Sequence, residues 1–370
     1  MDKTKQKRII VSVTSDLVSD NRVHKVCTTL VNMGFGVLLA GRKLPQSLPI
    51  APRAYPTRRF RLPFTKGPLF YAGYNFRLFC FLLFSRADIF LSNDLDTLPA
   101  NFLASKLKKK TLVYDSHEYF TETPELIHRP RVQRFWERLE RWMLPEIKHA
   151  YTVCTSIADI YTKKYGVPFR VVRNVPFAAT LHESEKENGQ KIILYQGAIN
   201  VGRGLEQVIL AMHFIKNARL VIAGGGDIKT DLEKLVLKEN LSARVTFTGR
   251  LSLEELAQLT PQADLGLSIE EDLGLNYRFA LPNKLFDYIQ AQVPVLVTNL
   301  PEMAAIITRY QIGEITPSLE PKILADKIIY ALTDKKQRSV WQKNLEKAAR
   351  ELTWENEEKV LQEIFVAFLQ

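Results

Sequence analysis

The stretch KIILYQGAINVGRGLEQVI, residues 191–209, begins as a short apolar run, turns at glycines and continues as a helical segment. The same order recurs downstream in further apolar runs separated by helical stretches: ARLVIAGGG (218–226), RVTFTGRL (244–251), ADLGLSI (263–269), VPVLVTN (293–299) and GEIT (313–316). Short strands that alternate with helices are typical of a parallel sheet covered on both faces. The sequence therefore predicts a Rossmann-like α/β domain over 191–353.

The first half of the chain has the same alternation. Its apolar runs are RIIVSVTSD (8–16), GVLLAGRK (36–43), ADIFLSND (87–94), KKTLVYDSHE (109–118), AYTVCTS (150–156) and FRVVRNVP (169–176). We predict a second Rossmann-like domain over 1–181 and a polar linker, HESEKENGQ, at 182–190. The last stretch, 354–370, has helical periodicity and is expected to pack back on the first domain. Two such sheets predict a cleft between them, lined by the loops that follow the strands.

The composition describes a soluble, globular class of chain. Of 370 residues, 46% are hydrophobic and 25% are charged, which excludes a disordered chain, and the length fits two or three domains. We see no apolar run long enough to span a bilayer and no signal-peptide core, so we expect a cytoplasmic protein. The three cysteines, Cys27, Cys80 and Cys154, are far apart and predict neither a disulfide framework nor a zinc site.

The charge is uneven along the chain. Residues 1–180 hold 29 basic and 14 acidic residues, a net charge of +15, so the remainder carries −4 of the total +11. A basic half beside a mildly acidic half predicts two domains with different partners. The basic half suits anionic lipid, a phosphorylated acceptor or nucleic acid.

The most informative segment is LPNKLFDYIQAQVPVLVTN, residues 281–299. A proline at the first helical turn predicts a helix start, which favours an anion near Asn283 and Lys284. Asp287 lies one turn further along the same predicted face. A cation for phosphate and a carboxylate for ribose hydroxyls together suit a nucleoside diphosphate. A helix with ordinary surface charges is the alternative.

Three glycine-containing turns follow predicted strands of the second half. Gly197 and the Gly202-Arg203-Gly204 triplet let backbone N–H groups approach a phosphate that Arg203 can clamp. The turn AGGGD includes Gly225, and TGR ends at Arg250, whose loop can hold a nucleobase. Plain strand–helix turns explain each of these segments equally well.

Taken together, these segments resemble the retaining GT-B glycosyltransferases, in particular glycosyltransferase family 4. The family has an Ala-Gly-Gly-Gly turn, a strand like VTFTGR and a helix that ends like AQVPVLVTN, and its basic residue before the first helix corresponds to Arg203. LPNKLFDY is close to a variant of the family's usual helix with two glutamates. The resemblance covers nearly the whole chain and is strongest over 192–300.

The resemblance implies a GT-B fold and assigns roles to several residues. The second glutamate of the family corresponds to Asp287, whereas the first corresponds to Phe279, which is not acidic. The donor sugar is then held by backbone amides near Asn276 to Ala280 or by the displaced Glu270 and Glu271. The predicted donor site comprises Gly197, Arg203, Gly225, Arg250, Asn276, Asn283, Lys284 and Asp287.

In the first half, SNDLDTL and VYDSHEYF resemble the strand ends that line the family's cleft. His117 corresponds to the cleft histidine, which can donate a hydrogen bond to a sugar hydroxyl or organise the reacting centre; a structural histidine is the alternative. We assign His117, Asp94, Arg203 and Lys284 as catalytic. The acceptor-side residues are expected to be Asp20, Arg22, Asp94 and Glu118.

Asp94 and Asp96 form an Asp-x-Asp pair, which binds a metal in the other main glycosyltransferase architecture. There the pair sits on the nucleotide-binding sheet, whereas here the second sheet carries the better nucleotide signals. No HxH or HExxH spacing occurs among the histidines. We therefore expect no metal ion and no other cofactor.

Two stretches of the basic half predict contact with an anionic membrane surface, at the inner face of the plasma membrane. LFYAGYNFRLFCFLLFSR (69–86) is very apolar, and RPRVQRFWERLERWMLPEIKHA (129–150) is basic and aromatic at helical spacing. RRFR (58–61) and KLKKK (106–110) add further charge. A core helix is the stronger alternative for 69–86.

The expected function is metal-independent, retaining transfer of a glycosyl group from a nucleoside diphosphate sugar to a sugar or lipid-linked acceptor, in cell-surface polysaccharide or lipid-linked glycan synthesis. A nucleotide-sugar epimerase or a sugar phosphorylase on the same fold is one alternative. A non-catalytic nucleotide-sugar or RNA-binding protein is another, although no aromatic RNA-binding signature occurs and we expect no nucleic acid partner. A dinucleotide-dependent dehydrogenase is disfavoured because no GxGxxG follows the first strand.

Overall fold

The computed structural model describes residues 6–18, 20–178 and 189–369. The chain divides into two compact units: unit 1 is Met1–Asn174 with Glu357–Gln370, and unit 2 is Val175–Asn356. Most of the predicted linker, 182–190, lies outside the described residues. The boundaries predicted at 181 and 191 flank that segment and stay predictions.

Unit 1 is built on a parallel sheet of seven strands in the order β3-β2-β1-β4-β5-β6-β7. The strands are β1 Arg8–Asp16, β2 Gly36–Lys43, β3 Thr57–Arg61, β4 Ile89–Asn93, β5 Thr111–Ser116, β6 His149–Thr152 and β7 Phe169–Val171. The sequence did not predict β3, because this edge strand buries only Phe60 and otherwise presents arginines and Thr57. Without a second apolar residue it has no readable strand pattern.

The helices of unit 1 cover both faces of this sheet. They are α1 Asn21–Asn32, α2 Gly67–Phe84, α3 Asp94–Lys108, α4 Pro124–Ile127, α5 Pro130–Met143 and α6 Thr155–Tyr165. The apolar helix α2 buries Phe70, Tyr74, Leu78 and Leu82, which recur every four residues and pack in the core around Phe90. One face of this apolar helix therefore serves the core of unit 1, whereas Leu69, Phe76 and Phe84 are exposed. Among the described residues, no helix has both the length and the apolarity to cross a membrane.

Unit 2 is built on a parallel sheet of six strands in the order β10-β9-β8-β11-β12-β13. The strands are β8 Lys191–Gln196, β9 Ala218–Ala223, β10 Val245–Gly249, β11 Leu265–Ser268, β12 Val295–Thr298 and β13 Gly313–Thr316. The helices are α7 Leu205–Ala211, α8 Lys229–Lys238, α9 Leu253–Leu259, α10 Leu275–Arg278, α11 Asn283–Gln290, α12 Pro301–Tyr310, α13 Pro321–Thr333 and α14 Lys335–Glu351. The sequence placed the end of α7 too late, at 217, because Met212 to Phe214 continue as tighter i→i+3 turns.

The last helix, α15 Trp354–Val366, packs mainly on unit 1. The ring of Phe365 lies edge-on to that of Phe35, with 6.1 Å between centroids. The Thr29 hydroxyl donates to Glu358 at 2.7 Å. The C-terminal segment thus completes the hydrophobic core of the first unit.

Candidate active site

The loops that follow β8, β9 and β10 are joined by backbone hydrogen bonds at one edge of the unit 2 sheet. Gly197 N donates to Ala223 O at 2.9 Å, and Gly224 N donates to Gly249 O at 2.8 Å. Gly224 has φ = 153°, and a Cβ there would lie 1.9 Å from Gly197 O. Only glycine fits this position, so the loops approach more closely than side chains would allow. The turn AGGGD therefore has a packing reason independent of any ligand.

Arg203 and Lys284 meet at this edge on a single carboxylate. Lys284 Nζ lies 2.7 Å and Arg203 Nη1 lies 3.4 Å from Oε1 of Glu270, which follows β11. Glu270 is fully buried and Lys284 is 6% exposed, whereas Arg203 is 26% exposed. The two cations that the sequence assigned to a diphosphate are therefore neighbours, and Arg203 is the more accessible of the two.

Glu270 is held as a carboxylate by these neighbours. Burial alone would raise its pKa, but the adjacent Lys284 ammonium and the Arg203 guanidinium outweigh burial and lower the pKa below its usual range. The Ser268 hydroxyl donates to Oε2 of the same carboxylate at 3.0 Å. The cluster of two cations and one anion keeps a net positive charge.

Aromatic faces support both cations. Lys284 Nζ lies 4.1 Å from the ring centroid of Tyr195, and the Arg203 guanidinium lies 5.2 Å from that of Tyr277. A cation over an aromatic ring is attracted by the ring quadrupole. Arg203 Nε is buried and has no hydrogen-bond partner among the described residues. A donor group of Arg203 is thus still unpaired at this edge.

The other predicted donor residues lie on strand ends, loops and helices of the same unit. Gln196 bridges Asp287 and Thr260: its amide donates to Asp287 Oδ2 at 3.1 Å and accepts from the Thr260 hydroxyl at 2.8 Å. Asn283, the first residue of α11, is exposed, and Asn276 on α10 is half-buried. Arg250 is exposed, and its side chain lies against Gly225, where an added Cβ would meet Arg250 Nε at 2.9 Å.

The corresponding edge of unit 1 carries His117, Asp94 and Asp115. His117 Nδ1 lies 3.3 Å from Asp94 Oδ2, and His117 Nε2 lies 3.1 Å from Asp115 Oδ2 and 3.1 Å from Asn93 Oδ1. The backbone N–H of His117 donates to Asp94 Oδ1 at 2.7 Å. Both ring nitrogens of His117 therefore have partners within the cluster. Asp94, whose side chain is 22% exposed, is a polar group of the cluster that solvent can reach.

Buried charges set the protonation of this cluster. Burial alone would lower the pKa of His117, but Asp94 and Asp115 raise it to about 9. Burial raises the pKa of Asp94 to about 7, against the opposing effect of His117. Asp115 is also buried, yet Arg22 and His117 lower its pKa to about 2. His117 is thus an imidazolium at neutral pH and a donor through both nitrogens.

Arg22 lies within the protein rather than towards an acceptor. It is 4% exposed, and its guanidinium donates to Asp115 Oδ1 at 2.9 Å and to the Val172 carbonyl at 2.9 Å. Asp20 caps α1 by accepting from Val23 N at 3.1 Å. Glu118 is half-buried next to the cluster. Local structure thus accounts for the contacts of Arg22 and Asp20.

Asp96, the second residue of the Asp-x-Asp pair, points into the core of unit 1. It is 7% exposed and accepts from the Thr14 hydroxyl, and burial followed by the Asp94 charge raises its pKa to about 7. Over the described residues, no group of three or more His, Cys, Asp or Glu side chains is arranged to hold a metal ion.

Comparison with known proteins matches both units. The model of glycosyltransferase family 4 matches residues 20–176, and that of the group 1 glycosyl transferases matches residues 178–348. The structure of sucrose-phosphate synthase from Thermosynechococcus elongatus superposes with a TM-score of 0.80 at 16% identity, covering 98% of this chain and 99% of that one. The chain carries the two domains of a GT-B glycosyltransferase.

Two further similarities extend this result. Anabaena HepE, solved in complex with UDP-glucose, superposes with a TM-score of 0.73 at 14% identity over 98% of this chain and 99% of that one. The α-D-kanosaminyltransferase of Streptomyces kanamyceticus is 26% identical over 166 residues, which are 43% of this chain and 41% of that protein. The chain spans only 30% and 41% of the length of the two curated relatives it matches.

Sequence reasoning missed the anionic partners that organise both clusters. Glu270 was considered only as a substitute for the missing glutamate at Phe279, yet its carboxylate is buried against Lys284. The sequence analysis assigns no role to Asp115, which lies two residues before His117. The sequence does hold one signal for such residues, which is an isolated acidic residue at the end of an apolar strand. A carboxylate at that position is buried, and a buried charge requires a partner of opposite charge.

Proposed function

We propose that the chain transfers a glycosyl group from a nucleoside diphosphate sugar to an acceptor hydroxyl. The observation that carries this proposal is the contact of Arg203 and Lys284 with one oxygen of Glu270. Two cations that converge at the end of parallel strands suit the diphosphate of such a donor.

The cluster also supports a role in the chemical step. Negative charge develops on the diphosphate as the sugar leaves, and preorganised cations stabilise it. Arg203, the more accessible cation, contacts the diphosphate, and Lys284, nearly buried beside the same carboxylate, contributes its charge. Because two side-chain cations supply this charge, the reaction proceeds without a metal ion in our proposal.

The donor is proposed from the chemistry of the site and from the relatives. Asp287, held by Gln196, binds the ribose hydroxyls, and the loop at Arg250 holds the base. HepE has been solved with UDP-glucose, which supports a nucleoside diphosphate hexose as the donor class. Glu271, which is more accessible than Glu270, is the remaining acidic candidate for the sugar hydroxyls.

The acceptor side is assigned to unit 1. Asp94 accepts a hydrogen bond from the acceptor, and the His117 imidazolium fixes Asp94 in position. Retention of anomeric configuration follows from the family resemblance, with the acceptor attacking on the face that the diphosphate leaves. We place the reaction in cell-surface polysaccharide or lipid-linked glycan synthesis, in the cytoplasm beside the membrane.

A thermal-shift screen of the full chain with UDP, GDP, ADP and their sugars tests the donor site. A ligand that binds only the native state raises the melting temperature with its concentration, because at a hundred times Kd it adds about 2.7 kcal/mol to the free energy of unfolding. The expected result is stabilisation by one nucleoside diphosphate with EDTA present. The proposal fails if none stabilises the chain, or if stabilisation requires a divalent metal.

Product analysis then separates the reactions. The hit sugar nucleotide is incubated with and without simple glycoside acceptors, and products are resolved by mass spectrometry and NMR. Release of nucleoside diphosphate with a new glycosidic bond supports transfer. A nucleotide sugar of changed configuration would support an epimerase, and binding with neither transfer nor hydrolysis would support a non-catalytic binding protein.

A further inference from the structure

The helix α5 presents one continuous exposed stripe. Between residues 131 and 142 its exposed side chains recur at spacings of three and four, which places them on one face. They are four arginines and two aromatic residues: Arg131, Arg134, Phe135, Arg138, Arg141 and Trp142. Phe135 is 55% and Trp142 is 53% exposed. At 1.5 Å per residue, the stripe runs about 16 Å along the helix.

The opposite face of α5 accounts for the packing of the helix. Trp136, Glu140 and Met143 are buried there, and Glu140 is paired with Lys164 at 3.0 Å. None of the four stripe arginines forms an ion pair with another residue that the structure describes, and Arg134 donates only to the Pro130 carbonyl of its own helix. No ion pair among the described residues neutralises these arginines, although Glu137 lies three residues from Arg134 and four residues from Arg141 on the same helix.

A basic cavity adjoins the C-terminal end of the stripe. Trp142 lies edge-on to Phe102 of α3, with 5.3 Å between ring centroids, and Phe102 lines a cavity of about 390 Å³. Four lysines also line it: Lys106, Lys109, Lys110 and Lys148. Lys106 is paired with Glu146 at 2.7 Å and Lys110 with Asp88 at 3.1 Å, whereas Lys109 and Lys148 are exposed.

We propose that the α5 stripe and this lysine cavity form one docking face for an anionic lipid bilayer. Phe135 and Trp142 enter the headgroup region, the arginines contact lipid phosphates, and the cavity takes the phosphate of one headgroup. A helix with an aromatic and cationic exposed face lies in such an interface, and each basic residue adds to its attraction for anionic lipid.

The pattern of charge favours a bilayer over a folded protein partner. A protein partner would have to bury four arginines, each needing its own acceptor in a fixed place, because a desolvated charge without a partner is costly. A lipid surface offers mobile phosphates along the whole stripe and leaves the guanidinium groups hydrated. The exposed aromatic residues at both halves of the stripe fit the same interface.

The placement of α5 gives the docking face a consequence for the proposed reaction. The helix connects the end of β5 to the start of β6, so it runs antiparallel to the strands. Its N-terminal end therefore lies towards the strand ends that carry His117 and Asp94. A bilayer along α5 would lie beside this edge and bring a lipid-linked acceptor towards it. Bilayer binding itself does not rest on sugar transfer.

Co-sedimentation of the full chain with vesicles tests the docking face. Vesicles of phosphatidylcholine with 30 mol% phosphatidylglycerol are compared with pure phosphatidylcholine. We expect binding to the anionic vesicles only, weakened by added salt. The double variant Arg134→Gln/Arg138→Gln should bind about twenty-fivefold more weakly, since each basic residue contributes roughly fivefold.

The matched control removes the same charge elsewhere. Arg219→Gln/Arg309→Gln changes two exposed arginines of unit 2 and should leave vesicle binding within about twofold. Quenching of tryptophan fluorescence by brominated lipid should fall in Trp142→Phe, which reports where the protein enters. Equal binding by both double variants, equal binding to uncharged vesicles, or unchanged quenching in Trp142→Phe would each overturn the proposal.

Failure here is distinguishable from failure of the proposed function. If a nucleoside diphosphate stabilises the protein but the protein does not bind anionic vesicles, the donor site stands and the docking face is refuted. If the protein binds vesicles but no nucleotide, the opposite holds. If the protein binds an RNA oligonucleotide through the stripe, and Arg134→Gln/Arg138→Gln leaves vesicle binding unaffected, the arginines bind nucleic acid. That result would overturn the proposal of a bilayer docking face.

Discussion

The two sheet edges of this chain carry buried ion clusters of opposite design. In unit 2 one carboxylate, Glu270, is shared by two cations, so the cluster is net positive. In unit 1 the imidazolium of His117 is held between two carboxylates, and Arg22 balances Asp115, so that cluster is close to neutral. A positive edge suits a diphosphate, whereas a neutral one suits the hydroxyls of an acceptor.

The two clusters also differ in whether a ligand can take part in them. Glu270 occupies its two cations in the way that a phosphate oxygen would, and a bound diphosphate can share them. The partners of His117 and Arg22 belong to the protein itself, and no ligand is needed to complete them. Nucleotide should therefore stabilise variants that break the Glu270 cluster of unit 2, whereas it should give no extra stability to variants that break the His117 cluster of unit 1.

The largest expected effect is on stability, in a pair of matched variants. Glu270→Gln removes the anionic partner of buried Lys284, and Arg22→Met removes one of the two cationic partners of buried Asp115, the other being His117. Each should lower the free energy of unfolding: Glu270→Gln by about 3 kcal/mol, because the Lys284 charge is left uncompensated, and Arg22→Met by less. A nucleoside diphosphate should raise the melting temperature of Glu270→Gln more than that of wild type, because the ligand supplies the missing anion.

The same nucleotide should stabilise Arg22→Met no more than wild type. Thermal unfolding of the three proteins over a nucleotide titration makes the comparison. If the diphosphate rescues both variants equally, or neither, the two clusters do not differ in the way proposed.

The second effect is on catalysis. Arg203→Ala and Lys284→Ala each remove a cation that faces the developing charge, and a contact of that kind is commonly worth about a hundredfold in turnover. Both should lower kcat/KM for transfer by a hundredfold or more. Lys322→Ala removes an exposed lysine on α13 that is ion-paired with Asp326 and lies over the ring of Phe214, and it should retain near-normal rates. Near-normal rates in both site variants would remove the basis of the donor assignment.

The third effect is a pH dependence of stability that comes from the His117 cluster of unit 1. Folding raises the pKa of Asp94 to about 7 and of His117 to about 9, so between about pH 4 and pH 9 the native state binds more protons than the unfolded state. Stability should therefore fall as pH rises through this window. The contribution of His117 is fully present below about pH 6.5 and is lost as pH rises through about 9.

Unfolding at pH 5, 7 and 9 checks this prediction. His117→Gln should lose the part of the decline between pH 7 and 9. His213→Gln is the control, because His213 is 43% exposed and contacts only Glu239 among the ion pairs of the described residues. A wild-type melting temperature that rises from pH 7 to pH 9 would contradict the assigned protonation of His117.

How much the sequence could predict follows from what each feature needs. Alternating apolar runs predicted both sheets, because buried parallel strands must be apolar on both faces. The edge strand β3 has too little apolar surface to be read. At the site, glycines and cations after strands predicted Arg203 and Lys284 as neighbours of a ligand, but their shared partner Glu270 lies 67 residues from Arg203. Such a pairing depends on the order of strands in the sheet, which no local pattern contains.

The smallest expected effect concerns Asp287. It tests whether the positive sheet edge of unit 2 recognises the ribose of a nucleotide as well as its phosphates. Asp287→Asn keeps the size and the contact with Gln196 but removes the charge that we assign to the ribose hydroxyls. A hydrogen bond to a charged group contributes about 1.5 kcal/mol or more, so nucleoside diphosphate affinity should fall about tenfold. Calorimetric titration with a ribonucleoside diphosphate and its 2′,3′-dideoxy analogue decides the assignment. Wild type should bind the ribonucleotide more tightly than the dideoxy analogue, because only the ribonucleotide has hydroxyls that can donate to the Asp287 carboxylate. Asp287→Asn should bind the two ligands about equally. An equal preference in both proteins would place Asp287 in the packing of α11 against Gln196 and leave the ribose without an assigned partner.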